Sequence, residues 1–340
     1  MIIRPLEATD APRLHALLTR PDVAPAAGTT PYDPPALTAE RLQPAGGGSV
    51  HRFGAFVGED LLGYVALTPS RYARAHHVAR LTLVTTGGSG AALLAAVTDL
   101  AWKWLGLDRL EVEVSAAAGE TLDALEAAGF VQEFRKVAHR REHGVLIDAL
   151  GWAIFRPGWR RPAPTGQAPP WPPRAASPAQ LHLRVATAAD AVGWADHLRR
   201  PEVRWGTLQV PSVTADLYRD RFAEKKDRGV GFVLAAEIDG ELIGSAGVHP
   251  FPFPSVDVAG IGMGVSGAWQ GRGVGKALLR ALIDGASWLG VRRLELEVYP
   301  DNHRAVALYR THGFVTEGVR VAAAWREGDM VDSMVMGRVG

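Results

Sequence analysis

Between Gln270 and Lys276 the chain reads QGRGVGK, a run suited to holding an anion by its backbone. Gly271, Gly273 and Gly275 can take backbone angles closed to other residues and let a ligand come close to the main chain. The apolar run KALLRALI that follows predicts a helix whose first amides point back at the turn, where a phosphate is favourably seated. A diphosphate could then be held by the amides of Gly271, Arg272, Gly273, Val274 and Gly275, with the Arg272 and Lys276 side chains as charge partners. Two other phosphate motifs fail here. A P-loop needs one more residue between its glycines and a Ser or Thr after the lysine, where Ala277 stands. A dinucleotide fingerprint needs a third glycine where Lys276 stands.

Further along, LELEV places Glu295 and Glu297 on one face of a strand, opposite Leu294, Leu296 and Val298. Two readings stay open for them: a base that takes a proton, or a pair of solvated carboxylates. Asn302 can cap the short helix that follows, and Tyr309 can pack beside Phe314. The elements that must position these groups are also legible. Ala259–Val265 reads as a strand entering the glycine turn, and VLAAEI and ELIGSAGV flank Asp239-Gly240, a strong hairpin signal. Mixed strand and helix order of this kind indicates an α/β or α+β domain with a curved, mixed β-sheet flanked by helices.

The same layout occurs twice. IRPLEATDA echoes LRVATAADA, AFVGEDLLG echoes AEIDGELIG, WLGLDRLEVEV echoes WLGVRRLELEV, AGFVQE echoes HGFVTE, and Gly144 and Asp148 echo Gly328 and Asp332. Five matches in unbroken order at a nearly constant offset indicate duplication. Between the copies, RPGWRRPAPTGQAPPWPPRAASP is too rich in proline for regular structure and reads as an extended linker. The expected organisation is 1–156, a first copy; 157–180, the linker; and 181–340, the second copy.

QGRGVGKALL, with IGMGV before it and LEVYPDNHRAVALYRTHGF after it, resembles the GNAT superfamily of acyl-CoA-dependent N-acetyltransferases over essentially all of 181–340. The fold class expected is therefore two tandem GNAT domains. Within the family, RPEVRWGTLQVP and REGDMVDSMVMGRV are similar to bacterial amino-acid N-acetyltransferases. The resemblance implies acetyl-CoA (coenzyme A) as cofactor and a small-molecule amine, such as an amino acid, as acceptor. It implies a pantetheine arm between two splayed parallel strands and an acyl carbonyl polarised by backbone amides at about Met263 to Val265. Gln270, Gly273 and Gly275 match the family's turn, and Asn302 and Tyr309 match its second motif. Tyr309 is thereby the candidate acid for the leaving thiolate, Asn302 a cofactor contact and Glu297 the candidate base. Relatives often carry an acid on the strand before the turn, where this chain has Gly260. Other activities that stay open are acetylation of a protein N-terminus or antibiotic amine, and acyl-CoA sensing without catalysis.

The first copy has lost most of this. Its turn reads TTGGSGAALL, with Thr85 in place of glutamine, and Ala118 and Leu125 stand where Asn302 and Tyr309 stand in the second. Glu113 survives opposite Glu297, so a degenerate GNAT-like domain is expected. The 37 basic and 36 acidic residues balance to a formal +1, without the basic footprint of a nucleic-acid binder. There is no cysteine, hence no disulfide, thiolate metal site or cysteine nucleophile. No metal is expected, His76-His77 reading as a solvated pair. The chain start lacks the features of a signal peptide, and no apolar run is long enough for a bilayer, so the expected location is cytoplasmic with no membrane partner. The duplication is compatible with a monomer that imitates a dimer, or with a homodimer. Trp104 and Trp288, in equivalent places after the long helix, are expected in the core.

Overall fold

The computed structural model describes residues 1–43, 50–164, 180–228, 231–252 and 255–340. Two compact units are present, one of Met1–Arg161 and one of Pro162–Pro252 with Val256–Gly340. Most of the expected linker, residues 165–179, lies outside the described residues.

The first unit contains β1 (Ile2–Pro5), α1 (Ala11–Leu18), α2 (Ala24–Ala27), α3 (Pro35–Leu42), β2 (His51–Val57) and β3 (Asp60–Pro69). It continues with β4 (Val78–Thr85), α4 (Gly90–Lys103), β5 (Arg109–Ser115), α5 (Gly119–Ala127), β6 (Val131–Glu142) and β7 (Val145–Phe155). The second unit runs through β8 (His182–Val185), α6 (Ala191–Arg199), α7 (Pro201–Trp205), α8 (Ala215–Arg228), β9 (Phe232–Ile238) and β10 (Glu241–Pro250). It closes with β11 (Val258–Val265), α9 (Val274–Trp288), β12 (Arg293–Val298), α10 (His303–Arg310), β13 (Val315–Arg326) and β14 (Asp329–Val339).

Strand order is β1-β2-β3-β4-β5-β7-β6 in the first unit and β8-β9-β10-β11-β12-β14-β13 in the second. Each sheet is mixed: β4 with β5 and β11 with β12 are parallel, and the neighbouring pairs are antiparallel. A parallel pair needs a crossover, supplied here by α4 or α9. Helix α9 buries Val274, Leu278, Leu279, Leu282 and Ala286, one stripe at helical spacing, against the β-sheet core of Ile243, Ala259, Leu294 and Leu296. The β9–β10 turn has positive φ at Asp239 (51°) and Gly240 (76°), as a two-residue hairpin requires.

Beyond element order, the units repeat particular physical devices. Arg4 and Arg184 each make a paired contact with an aspartate, Asp10 or Asp190, that also accepts the N–H of Glu7 or Thr187. A bulge in the penultimate strand puts Ala138 or Ala322 at positive φ, and its amide donates to Asp148 (2.7 Å) or Asp332 (2.8 Å). That bond explains the recurrence of the aspartate.

Both units also bury an arginine–glutamate pair. Arg109 and Arg293 are fully buried, and each forks onto one carboxylate, Glu133 or Glu317, through two hydrogen bonds. The pair clips the start of β5 or β12 to the strand two places away. Gly337 leaves room for it, since a Cβ there would stand 2.5 Å from Arg293 Nη2 and 2.6 Å from Glu317 Oε1.

Two expectations require correction. Trp104 and Trp288 are 78% and 88% exposed rather than core, because each falls at the end of its helix, past the last turn that faces the sheet. His77 is buried rather than solvated, and its carbonyl accepts the amides of Asp108 and Arg109 at the start of β5. Among the described residues no helix is long and apolar enough to cross a membrane, and no group of three or more His, Asp or Glu is arranged to hold a metal.

Removing one member of a buried ion pair strands the other charge. Glu317→Gln should therefore lower stability by about 3–5 kcal/mol, read from the denaturant midpoint. A loss below about 1 kcal/mol would mean that the pair is not holding β12.

Candidate active site

The glycine turn sits where two parallel strands part. β11 and β12 pair at Val258–Arg293, Ala259–Leu294 and Gly260–Glu295, and the pairing goes no further. β10 stays paired with β11 to the end, Gly244 opposite Val265. From Ile261 to Val265, then, one edge of β11 faces a cleft, with backbone groups that the ladder no longer serves. The side chain of Gln270 answers one of them, its Nε2 donating to the Val265 carbonyl at 3.0 Å. Gln270 thus ties the turn back to β11.

After Val265 the backbone forms a short 3-10 turn at Gly267–Trp269 and enters α9 through Gly273, at φ 85° and ψ −12°. Only glycine takes this left-handed conformation without strain, and the space where a Cβ would stand is open to at least 4 Å. Gly271 has the same sign of φ, 73°. The first α9 bond runs from Ala277 N–H to the Gly273 carbonyl, so the N–H groups of Gly273 through Lys276 have no acceptor within the helix. Gly271, Gly273 and Lys276 are exposed, Arg272 and Gly275 half-buried, and Val274 buried in the core. Gly275 lies close under α10, where a Cβ would stand 3.4 Å from Leu308 and 3.6 Å from Met263.

Asn302 precedes α10, and its Oδ1 accepts the Ala305 N–H at 3.3 Å. It therefore caps the helix that carries Tyr309. Tyr309 is buried, edge-on to Phe314 with ring centroids 5.8 Å apart. Burial pushes its phenol well above the ordinary value, so it keeps its proton at neutral pH. Glu297, on the outward face of β12, is 44% exposed. One of its oxygens accepts from Arg320 Nη1 at 2.6 Å and from Ser333 Oγ at 2.9 Å. Glu295, by contrast, is buried beside Arg293, so the two glutamates do not share an environment.

Sequence reading missed the support beneath the turn. His197 is fully buried, and its Nδ1 lies 3.1 Å from Ser266 Oγ, which also accepts from Arg200 Nη1 at 2.7 Å. An arginine can only donate, so Ser266 Oγ is the acceptor of that bond, and the guanidinium charge lies close to the His197 ring. Burial first, and the Arg200 charge second, pull the His197 pKa down to about 3, against a small opposing effect from the Gly264 backbone. Glu202, also buried, accepts the Gly267 N–H at 3.2 Å. On the other side of the cleft, Arg326 pairs with both Asp301 oxygens and lies over the rings of Trp205 (4.1 Å) and Tyr299 (4.9 Å). One available signal was the basic residue repeated at Lys136 and Arg320, each facing the glutamate of its own unit.

The corresponding place in the first unit is filled by its own side chains. The Gly88 N–H donates to Glu120 Oε1 at 2.9 Å, so a carboxylate already sits on the turn's amide. A Cβ on Gly90 would stand 2.5 Å from Ala124 Cβ, so α5 lies directly on the start of α4. Thr85 and Thr121 hydroxyls bond to each other at 2.8 Å. Glu113, although burial opposes its charge, is held well below the usual carboxylate range by Lys136 (2.8 Å) and His139 (3.2 Å).

The Acetyltransferase (GNAT) family model matches residues 194–314. The chain is 37% identical over 142 residues to the L-amino acid N-acetyltransferase AaaT of Escherichia coli, covering 41% of this chain and 86% of that protein. The chain therefore belongs to the GNAT family of acetyltransferases. It is an acyl-CoA-dependent enzyme of that family, with acetyl-CoA as cofactor. The N-alpha-acetyltransferase RimI of Mycobacterium tuberculosis is 42% identical over 93 residues, 26% of this chain and 54% of that protein, so this match spans about half of the relative. A GNAT-family acetyltransferase structure from Streptococcus pneumoniae superposes with a TM-score of 0.44 at 25% identity, over 47% of this chain and 99% of that one.

The neutral state of His197 has a consequence for acid stability. The unfolded chain binds a proton on His197 below about pH 6.5, and the folded chain does so only below about pH 3. The contribution is therefore complete above pH 6.5 and is lost progressively as the pH falls toward 3. Between pH 7 and 4 the parent should lose on the order of 3 kcal/mol more than a folded His197→Gln variant, measured by urea midpoints. Parallel pH curves for the two proteins would refute a neutral buried ring.

Proposed function

We propose that residues 181–340 are the catalytic GNAT domain, that 1–156 are a degenerate copy of it, and that 157–180 link them. The reaction is transfer of an acetyl group to the primary amine of a small molecule, with an amino acid as the leading acceptor class. The observation that carries this reading is the parting of β11 from β12 after Gly260–Glu295, immediately ahead of a left-handed glycine turn and a helix start. That arrangement suits a long, thin ligand with a diphosphate at one end. Similarity to an L-amino acid N-acetyltransferase over 86% of that protein supports the acceptor class.

In this reading the cofactor contacts are Gln270, Gly271, Arg272, Gly273, Val274, Gly275 and Lys276 around the diphosphate, and Met263 and Val265 along the cleft. Main-chain N–H groups do most of the holding, and Gln270 keeps them in place through the Val265 carbonyl. The cofactor supplies an activated thioester, whose C–S bond breaks as the amine nitrogen takes the acetyl group. Amides between Met263 and Val265, freed from the β12 ladder, polarise the acyl carbonyl, an effect worth about 3–4 kcal/mol for one good donor. Tyr309, which keeps its proton at neutral pH, gives that proton to the leaving sulfur. Asn302 fixes the start of α10 and so the position of Tyr309. Glu297, open to solvent on one side, takes the amine proton directly or through water. The chain's own nucleophile is not needed, because the amine attacks the thioester itself.

The first copy supports no second cofactor. Glu120 takes up the role of the anion at Gly88, and α5 closes the space at Gly90.

Three outcomes check the proposal. Calorimetry with acetyl-CoA should give one site per chain, abolished by Gly273→Val; two equal sites would contradict the degenerate reading. Tyr309→Phe should lower kcat by about 100-fold or more, with acetyl-CoA affinity changed less than about 3-fold. A screen for released CoA thiol across amino acids, polyamines and N-terminal peptides should respond to amino acids first. Binding without turnover on any amine would instead indicate a sensor.

A further inference from the structure

The glycine-rich segment cannot hold its own shape. Seven of the sixteen residues from Gly260 to Gly275 are glycine, and each gives up more backbone freedom on ordering than any other residue type. Its amides have to be fixed from outside. The short helix α7 and its flanks make contacts to both arms of the β11–β12 cleft. On the β11 arm, His197 and Arg200 meet Ser266, and Glu202 accepts the Gly267 amide in place of a side-chain cap from Ser266. Val203 packs so near that a Cβ on Gly264 would stand 3.0 Å from its Cγ1. On the β12 arm, Trp205 lies against Arg326, which grips Asp301, and the Tyr299 hydroxyl donates to the Thr207 carbonyl at 3.4 Å. A Cβ on Gly206 would stand 3.3 Å from Asn302 Nδ2.

We infer that the segment from His197 to Thr207 is a brace across the mouth of the cleft, with His197, Arg200, Glu202 and Trp205 as its positioning residues. This rests on the acetyltransferase reading above and adds a role for residues that do not touch the reacting groups in it. On one arm the brace sets the amides of Gly264 to Gly267, between the acyl-polarising strand end and the diphosphate turn. On the other it sets the loop from Tyr299 to Asn302, which leads into the helix carrying Tyr309. A fixed distance between carbonyl-polarising amides and proton donor is what one transition state requires of two separate elements.

The test uses the full chain and four variants: Ser266→Ala, Glu202→Leu, Glu202→Gln and Trp205→Ala. Acetyl-CoA dissociation constants are measured by calorimetry, kcat and amine KM by thiol release, and folding by thermal melting. Ser266→Ala and Glu202→Leu should each lower kcat by about 10-fold or more and weaken acetyl-CoA binding about 3- to 10-fold. Trp205→Ala should lower kcat with acetyl-CoA binding nearly unchanged. Glu202→Gln keeps an oxygen for the Gly267 amide and should recover most of the loss. Folded Ser266→Ala and Glu202→Leu proteins with parental kcat and affinity would overturn the brace, as would equal losses in Glu202→Gln and Glu202→Leu. If Glu202→Leu does not fold, Ser266→Ala, which removes a single oxygen, decides. Failure of the parent itself to bind acetyl-CoA would count against the functional reading and not against the brace.

Discussion

Interior strands rarely forgo a neighbour, because every buried amide and carbonyl left without a partner costs about 1–3 kcal/mol. β11 does so from Ile261 onward, and the rest of the second unit can be understood as the set of arrangements that make this tolerable. Gln270 returns to satisfy Val265. The pair of fully buried Arg293 with Glu317 anchors β12 at its start, and the strands part beyond Gly260 and Glu295. The remaining backbone groups face the cleft, where a ligand able to accept and donate along its length can replace the missing strand. An opening of this kind is at once a stability cost and a binding surface.

The first unit meets the same constraint with its own side chains. Its parallel pairing runs one residue pair further, to Leu81–Val112, before β4 and β5 separate. Its own groups then fill the gap: Glu120 on the glycine amide, two threonines bonded to each other, and Lys136 and His139 around Glu113. Ser115, which stands where the second unit has Tyr299, donates to Glu142, itself held by Arg140. Internal pairing satisfies polar groups that would otherwise need a ligand or water. A unit whose polar groups pair with one another can keep this scaffold without the open cleft.

How much of this the sequence shows depends on how local the cause is. The glycine turn, the Asp239–Gly240 hairpin and the Asn302 cap are set within a few residues and can be read directly. Asp148 and Asp332 were visible as a repeat, but their purpose, holding the Ala138 and Ala322 bulges, needed the strand register. The long-range pairs were not visible at all. His197 is 69 residues from Ser266, and Glu202 is 65 from Gly267, with nothing in either segment that marks the other. The tryptophans misled for a simpler reason. Apolar character suggests burial, yet Trp288 falls where α9 ends, and its helix face has already left the sheet.

Glu297 shows how far a side chain's identity falls short of its chemistry. Alternation along β12 puts it beside Glu295, yet one is sealed against Arg293 and the other lies half in solvent between Arg320 and Ser333. The difference comes from position along the strand. Glu295 lies at the last residue still paired with β11, and Glu297 lies two residues beyond, where the cleft has opened. The carboxylate that reaches water is the one beyond the end of the ladder. The parting of the strands thus opens one edge of β11 and, two residues later along β12, coincides with a carboxylate that reaches solvent.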